Sequence, residues 1–466
     1  MSSNPRLDSQ KNKKTVFYIA SPGFPHNTII GREIILKKLI AQGYSSVVII
    51  FDKRTEVIFS NLGADCKVYL FKENRFLMRI LRILRFILAG KNLTNLPPQM
   101  QAGWIDSVSG KNKEKNILKQ LICFFLNCLS VDQIIFLFNK ITLLTSTQRL
   151  YRSYSPFLSI FYGYVSTIDE AIIVAAAGNT QSKTISMPDR IAAFTDVFYF
   201  SKTDLILVWN NLMRKQALEW HGCESNAVKA IGILRVDAYK ACDKKLQSRD
   251  EFIQTNGLIK NRKIISIIGG NISIFEADRI EKLLSSSGKI RKDIQVLYRP
   301  RPGLFSSELQ LAQSLKNDNL FLSRSYPQAF AKDQSDDSQL LNTPNFLKNS
   351  DVVLARASAM GVEASYFNVP VIFLTYGERE IAYLEQQDHL AMLLKEGGLR
   401  VAKNDQELID ALRHYLENPP SDVNAGNDNS ARSGDLTDED SLQRCYREIN
   451  EFLGETIIES IPPAAK

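Results

Sequence analysis

Short, almost wholly apolar runs recur along this chain, and each is followed by a loop and then by an amphipathic helical pattern. TVFYIAS (15–21), SVVIIFD (46–52), KIISIIGG (263–270) and DVVLA (351–355) are four of them. A strand that is apolar at nearly every position must be covered on both faces, which is the condition of a parallel sheet flanked by helices. The first unit shows the grammar: Thr15–Ser21 as strand, a loop with Pro22, Gly23 and Pro25, a helical pattern from Thr28 to Gln42, Gly43 as its stop, and Ser46–Asp52 as the next strand. Val68–Phe71 supplies a third strand, and after a less readable stretch to about residue 165 the alternation resumes with AIIVAAAG, TISMP and DLILVW.

The charged run KACDKKLQSRDEF, poor in strand formers, marks a linker near residues 240–255, after which a second strand-and-helix series begins. A length of 466 residues exceeds one ordinary core. The expected architecture is therefore α/β, with two Rossmann-like, doubly wound domains facing a cleft, at 1–245 and 246–420. Asn404 with Glu407 three residues on begins the last helix of the second domain, and Pro419 and Pro420 end it. Residues 421–466 read as a polar linker and a C-terminal helix.

Lysine and arginine outnumber aspartate and glutamate by 58 to 50, for a net charge of +8, which suits an anionic partner of some kind. The basic residues are not interleaved with aromatics on a single-strand platform, so nucleic acid is not expected. Six cysteines without regular spacing and a polar start, MSSNPRLDSQKNKK, predict free thiols and a cytoplasmic protein. The apolar stretch Leu121–Leu144 is interrupted by Asn127, Ser130, Asp132 and Gln133 and is too broken to span a bilayer. Four histidines without metal-type spacing predict no protein-held metal. In NRFLMRILRILRFILAG, Arg75, Arg79, Arg82 and Arg85 lie near one helix face with Leu, Ile and Phe elsewhere. This is either a core helix with a solvated cationic edge or a contact with the inner face of an anionic plasma membrane, and the purely cationic polar face favours the membrane.

The segment NSDVVLARASAMGVEASYFNVPVIF (349–373) carries the strongest local signal. Asp351–Leu354 reads as a strand, Ala355 to Ala359 as a tight loop, and Gly361 as the opening of a helix. Ligands of open α/β sheets sit beyond the carboxyl ends of the strands, where a helix start offers N–H groups to phosphate. Ser358, Ala359, Met360 and Gly361 are then expected at a diphosphate, and Glu363 at the ribose hydroxyls. A second possibility for Glu363 is that it only complements the helix dipole. Arg299 and Arg301 in YRPRPG suit phosphate through guanidinium forks, or serve as structural loop arginines. Gly269, Gly270 and Asn271 end the first strand of the second domain, where they form either a close backbone approach to the donor or a plain tight turn.

Four segments together resemble GT-B-fold glycosyltransferases, more narrowly bacterial surface-polysaccharide transferases and the CDP-glycerol glycerophosphotransferase group. SAMGVEASYFNVPVI (358–372) is similar to their donor-binding S-x-x-x-x-E-A…P-V-I segment, and YRPRPG (298–303) to an Arg-Pro-His-Pro loop. DLILVWNNLMRKQALEWHGCESNAVKAIGILRVD resembles the end of their first domain, and HLAMLLKEGGLRVAKNDQELIDALRHYL their closing helix, strand and helix. The chain departs from the group at Arg301, where the polymerising enzymes carry histidine, and near Met187 and Pro188, where they have His-Gly. The retaining branch has a glutamate eight residues before the ribose-binding one; here that position is Ala355, so the resemblance implies inversion. His26, after the first strand, is then the candidate general base, with Asp189 and Asp196 as substitutes, while His221, His389 and His414 read as structural.

The resemblance implies an inverting transferase that moves a sugar or polyol phosphate from a nucleotide-linked donor to a surface-polysaccharide or lipid-linked acceptor. The donor is a substrate, and no cofactor is expected. Two alternatives stand beside it: an isomerase like UDP-N-acetylglucosamine 2-epimerase, and a scaffold protein that has lost its catalytic residues, which the missing histidines support.

Overall fold

The computed structural model describes residues 14–20, 32–51, 65–91, 128–163, 165–188, 201–234, 243–269, 293–299, 317–323, 338–355, 359–375, 399–418 and 440–458, apart from a few single positions inside these stretches, together with isolated positions between them. The chain folds as two compact units, with the boundary after Gly232 and with 439–466 returning to the first unit.

The first unit holds a seven-stranded parallel sheet made of β1 (Thr15–Ala20), β2 (Ser45–Ile50), β3 (Cys66–Leu70), β4 (Leu158–Tyr162), β5 (Lys183–Met187), β6 (Leu205–Val208) and β7 (Val228–Ala230), in the order β3-β2-β1-β4-β5-β6-β7. Its centre is apolar on both faces: Phe17, Tyr18, Ile19, Val48, Ile49, Ile160 and Phe161 are all fully buried. The central strand β4, LSIFY, lies in the stretch before residue 165 whose sequence pattern is hard to read. The helices are α1 (Arg32–Ala41), α2 (Arg75–Lys91), α3 (Val131–Thr142), α4 (Ser146–Tyr154), α5 (Ile168–Gly178) and α6 (Asn211–His221). AIIVAAAG belongs to α5, which begins with a capping box between Thr167 and Glu170.

The second unit repeats the plan after α7 (Arg249–Asn256). Its six parallel strands are β8 (Lys263–Ile268), β9 (Ile294–Arg299), β10 (Leu320–Leu322), β11 (Val352–Ala355), β12 (Val371–Leu374) and β13 (Leu399–Ala402), ordered β10-β9-β8-β11-β12-β13. The helices are α8 (Ser338–Lys348), α9 (Ala359–Ser365) and α10 (Asp405–Glu417). Leu408, Ala411, Leu412 and Leu416 of α10 pack on Val352, Leu354 and Ile372 of the sheet. Asn404 caps α10 through its side chain, which accepts from the N–H of Glu407.

The chain ends in α11 (Ser441–Leu453), which packs on the first unit. Cys445, Tyr446 and Ile449 are buried there, and Arg444 Nε donates to the carbonyl of Ile231 at 2.9 Å. Among the described residues no helix is long and apolar enough to cross a membrane.

Candidate functional site

Strand order in the second sheet reverses direction beside β8: β9 and β10 follow on one side, and β11 then starts the other side. The carboxyl ends of β8 and β11 thus flank a topological switch point, the place where open α/β sheets take their ligands. Gly269 leaves β8 there, and its N–H donates to the carbonyl of Arg299 at 2.8 Å. Arg299 is the last residue of β9 and not a loop residue; only 5% of it is exposed. Its Nη2 donates to Thr343 Oγ1 at 2.9 Å, and the guanidinium lies 5.4 Å from the centre of the Phe346 ring. Its charge is therefore directed at α8 inside the unit.

Helix α9 follows β11 after three residues. It begins at Ala359, two residues before the expected start, so Gly361 is its third residue and Glu363 its fifth. Gly361 serves packing: a Cβ at this position would lie 2.7 Å from Cε1 of the buried Phe373 on β12. Met360 beside it is half-buried. Glu363 sits beyond the first turn, where a helix dipole has little hold on a side chain, so complementing the dipole does not explain its charge. It is 1% exposed, and the Tyr239 hydroxyl donates to its Oε2 at 2.8 Å. Tyr239 is itself buried, with its ring centre 5.8 Å from that of Phe367. Tyr239 was not a candidate from the sequence. No local pattern could have singled it out, because its partner lies 124 residues away.

His26, Asp189, Asp196, Gly270, Asn271, Arg301 and Ser358 lie outside the described residues. His221 is a structural group: its Nε2 is 2.8 Å from the carbonyl of Phe194, and burial lowers its pKa to about 4. Among the described residues no group of His, Cys, Asp and Glu is placed to hold a metal ion.

The arginine helix α2 differs from the membrane reading in one respect. Its apolar face is already used: Met78, Leu81, Leu84, Ile87 and Leu88 are buried against Ile134 and Phe138 of α3 and Ala171 and Ile172 of α5. That face is not presented to a lipid surface. Arg75, Arg79 and Arg82 remain exposed, and Arg85 is half-buried near Asp169 and Glu170.

No protein-family model matches this chain, and no curated protein matches it. Solved structures do. S. aureus MnaA in complex with UDP is 15% identical, with a TM-score of 0.56, over 96% of this chain and 99% of that one. A putative UDP-N-acetylglucosamine 2-epimerase from Listeria monocytogenes is 12% identical, with a TM-score of 0.55 over the same shares. A glycosyltransferase from Rickettsia africae is 12% identical, with a TM-score of 0.52, over 95% of this chain and 99% of that one. Identities this low establish the fold, which is GT-B-like, and nothing narrower. The likeness does not extend to the CDP-glycerol glycerophosphotransferase group in particular.

Proposed function

We propose that this protein is a nucleotide-sugar-dependent enzyme whose donor sits at the carboxyl edge of the second sheet, and that it transfers the sugar, or a polyol phosphate, with inversion to a surface-polysaccharide or lipid-linked acceptor. The observation that carries this reading is the switch point between β8 and β11, beside which α9 supplies the buried, tyrosine-held carboxylate of Glu363. Gly269, Gly270 and Asn271 after β8, and Ser358, Ala359, Met360 and Gly361 before Glu363, are the donor contacts in this proposal. Arg299 shapes the floor through Thr343, and Arg301 reaches the phosphates. His26, just after β1, takes the proton of the acceptor hydroxyl. Ala355 stands where a retaining enzyme of this fold carries glutamate, which supports inversion. The exposed arginine edge of α2 supports contact with an anionic membrane surface on the cytoplasmic side.

A second reading is favoured by the full-length likeness to a UDP-N-acetylglucosamine 2-epimerase: isomerisation of the nucleotide sugar without an acceptor. One series separates the two. Calorimetry with UDP-, GDP- and CDP-linked sugars, on the wild-type chain and on Glu363→Gln, tests the donor site; binding of none of them rejects the proposal. Incubation of the bound donor alone, followed by NMR, then looks for a new epimer, whose appearance assigns the isomerase. Binding with neither epimer nor transfer to any acceptor extract assigns an inactive scaffold.

A further inference from the structure

Arg75, Arg79 and Arg82 recur at spacings of four and three, which makes one stripe along α2. The stripe borders an open concavity of about 400 Å³ that is also lined by Phe71, Glu73, Met78 and Asp169. Phe71 immediately follows β3, and Asp169 lies in the first turn of α5, the helix after β4. The concavity therefore lies wholly within the first unit, on the carboxyl side of its sheet, the side on which such sheets take ligands.

Of the three acids near the stripe, two are committed to helix starts. Glu73 caps α4: its oxygens accept from the N–H of Ser146 at 3.0 Å, the N–H of Thr147 at 2.7 Å and the Ser146 hydroxyl at 2.9 Å. Glu170 caps α5, accepting from the N–H and hydroxyl of Thr167. Asp169 faces both Arg82 and Arg85, and burial pushes its carboxyl above the usual range while those two arginines pull it back. Arg75, Arg79 and Arg82 are exposed, and none of them is hydrogen-bonded or ion-paired to a described residue. Three guanidinium groups border one cavity, on a helix whose apolar face is anchored in the core. Guanidinium forks match the oxygens of phosphate in pairs.

We propose that Arg75, Arg79 and Arg82 form a binding site for a phosphate-class anion, a phosphodiester or pyrophosphate group carried by the acceptor. Assigning the anion to the acceptor rests on the transferase reading; the anion site itself does not.

The test uses the full chain and sodium pyrophosphate, titrated by calorimetry with no nucleotide present, so that any pyrophosphate taken by the donor site is common to all variants, and UDP is titrated separately. The wild-type chain is expected to bind, and Arg79→Gln/Arg82→Gln to bind at least about tenfold more weakly. Arg79→Lys/Arg82→Lys keeps the charge and loses the forks, and should fall between the two. These side chains are exposed, so thermal melts of all three proteins should coincide. A parallel arm measures co-sedimentation with phosphatidylglycerol vesicles and with neutral phosphatidylcholine vesicles. Phosphatidylglycerol binding that the double glutamine variant loses identifies a lipid headgroup as the source of the anion, and pyrophosphate binding alone identifies a soluble one. If the wild-type chain binds neither, or the glutamine variant binds both as the wild type does, the site is rejected. Failure of UDP itself to bind counts against the donor proposal and leaves the pyrophosphate comparison intact.

Discussion

The hydroxyl of Tyr239 donates to Oε2 of Glu363 at 2.8 Å, and both residues are almost completely buried. A buried carboxylate needs donors to offset its lost hydration, and a neutral phenol supplies one without adding a charge. Removing that donor costs more than the net value of an ordinary hydrogen bond, because the acceptor remains buried. Tyr239→Phe is expected to lower unfolding free energy by about 1–3 kcal/mol in urea titrations. If Glu363 grips the ribose, the same variant should weaken UDP-sugar affinity about tenfold in calorimetry, because the carboxylate loses a group that orients it. Unchanged stability and unchanged affinity together would dismiss Tyr239 as a positioning residue.

Gly361 gives a prediction of a different kind. An added methyl at this position meets the Phe373 ring at 2.7 Å, and that ring is fully buried, so it gives way only by displacing close-packed neighbours. Gly361→Ala should therefore destabilise the second unit by about 1–3 kcal/mol through overpacking. A double variant with Phe373→Leu should recover part of the loss. Additive losses in a double-mutant cycle of melting curves would show that the close approach is not the cause.

These two sites show where sequence reading has force and where it stops. SVVII, KIISII and VVLA are legible as strands because a parallel sheet buried on both faces demands apolar residues at every position. The helix after β11 is legible to within two residues, because the apolar run Val352–Ala355 ends and α9 begins at Ala359. The Tyr239–Glu363 bond is not legible, because neither residue carries a pattern that points to the other across 124 positions. The role of α2 is ambiguous in sequence on physical grounds, since an apolar stripe opposite arginines looks the same whether a core or a lipid surface covers it. Only the packing of Met78, Leu81 and Leu84 against Ile134 and Phe138 decides that the stripe faces a core. The helical pattern near residues 441–453 is visible, while its partner, the first unit and not the domain it follows, is set by tertiary contacts alone.

His221 sets an acid limit on stability. Burial holds its folded pKa at about 4, against 6.5 for the exposed imidazole, so between these values the unfolded chain takes up a proton that the folded chain refuses. The stability that its neutral ring provides is fully present above pH 6.5 and is lost as pH falls toward 4. The slope is about 1.4 kcal/mol per pH unit, and the whole loss is on the order of 3 kcal/mol. In His221→Gln the amide can still donate to the Phe194 carbonyl and does not titrate. Its stability, measured in urea at about pH 7.5, 6 and 5, should gain on that of the wild type as pH falls. A constant difference between the two proteins across that range would rule out His221 as the titrating group.

Gly232 carries the last prediction, which concerns the return of α11 to the first unit. Its φ of +93° lies in the region that favours glycine, and a Cβ there would collide with the Ser441 side chain and approach Nη2 of Arg444 to 2.8 Å. Arg444 in turn donates from Nε to the carbonyl of Ile231, next to Gly232, so the helix is clasped where the backbone has no side chain. Gly232→Ala combines backbone strain with a clash and should cost about 2–4 kcal/mol. Ser441→Gly removes the nearest colliding atoms but leaves the positive φ and Arg444 in place. In the double variant the steric part of the loss should be relieved and the backbone part should persist, giving a coupling of at least about 1 kcal/mol in a denaturation cycle. A coupling near zero would mean that α11 does not close on Gly232, and that the positive φ alone accounts for the glycine.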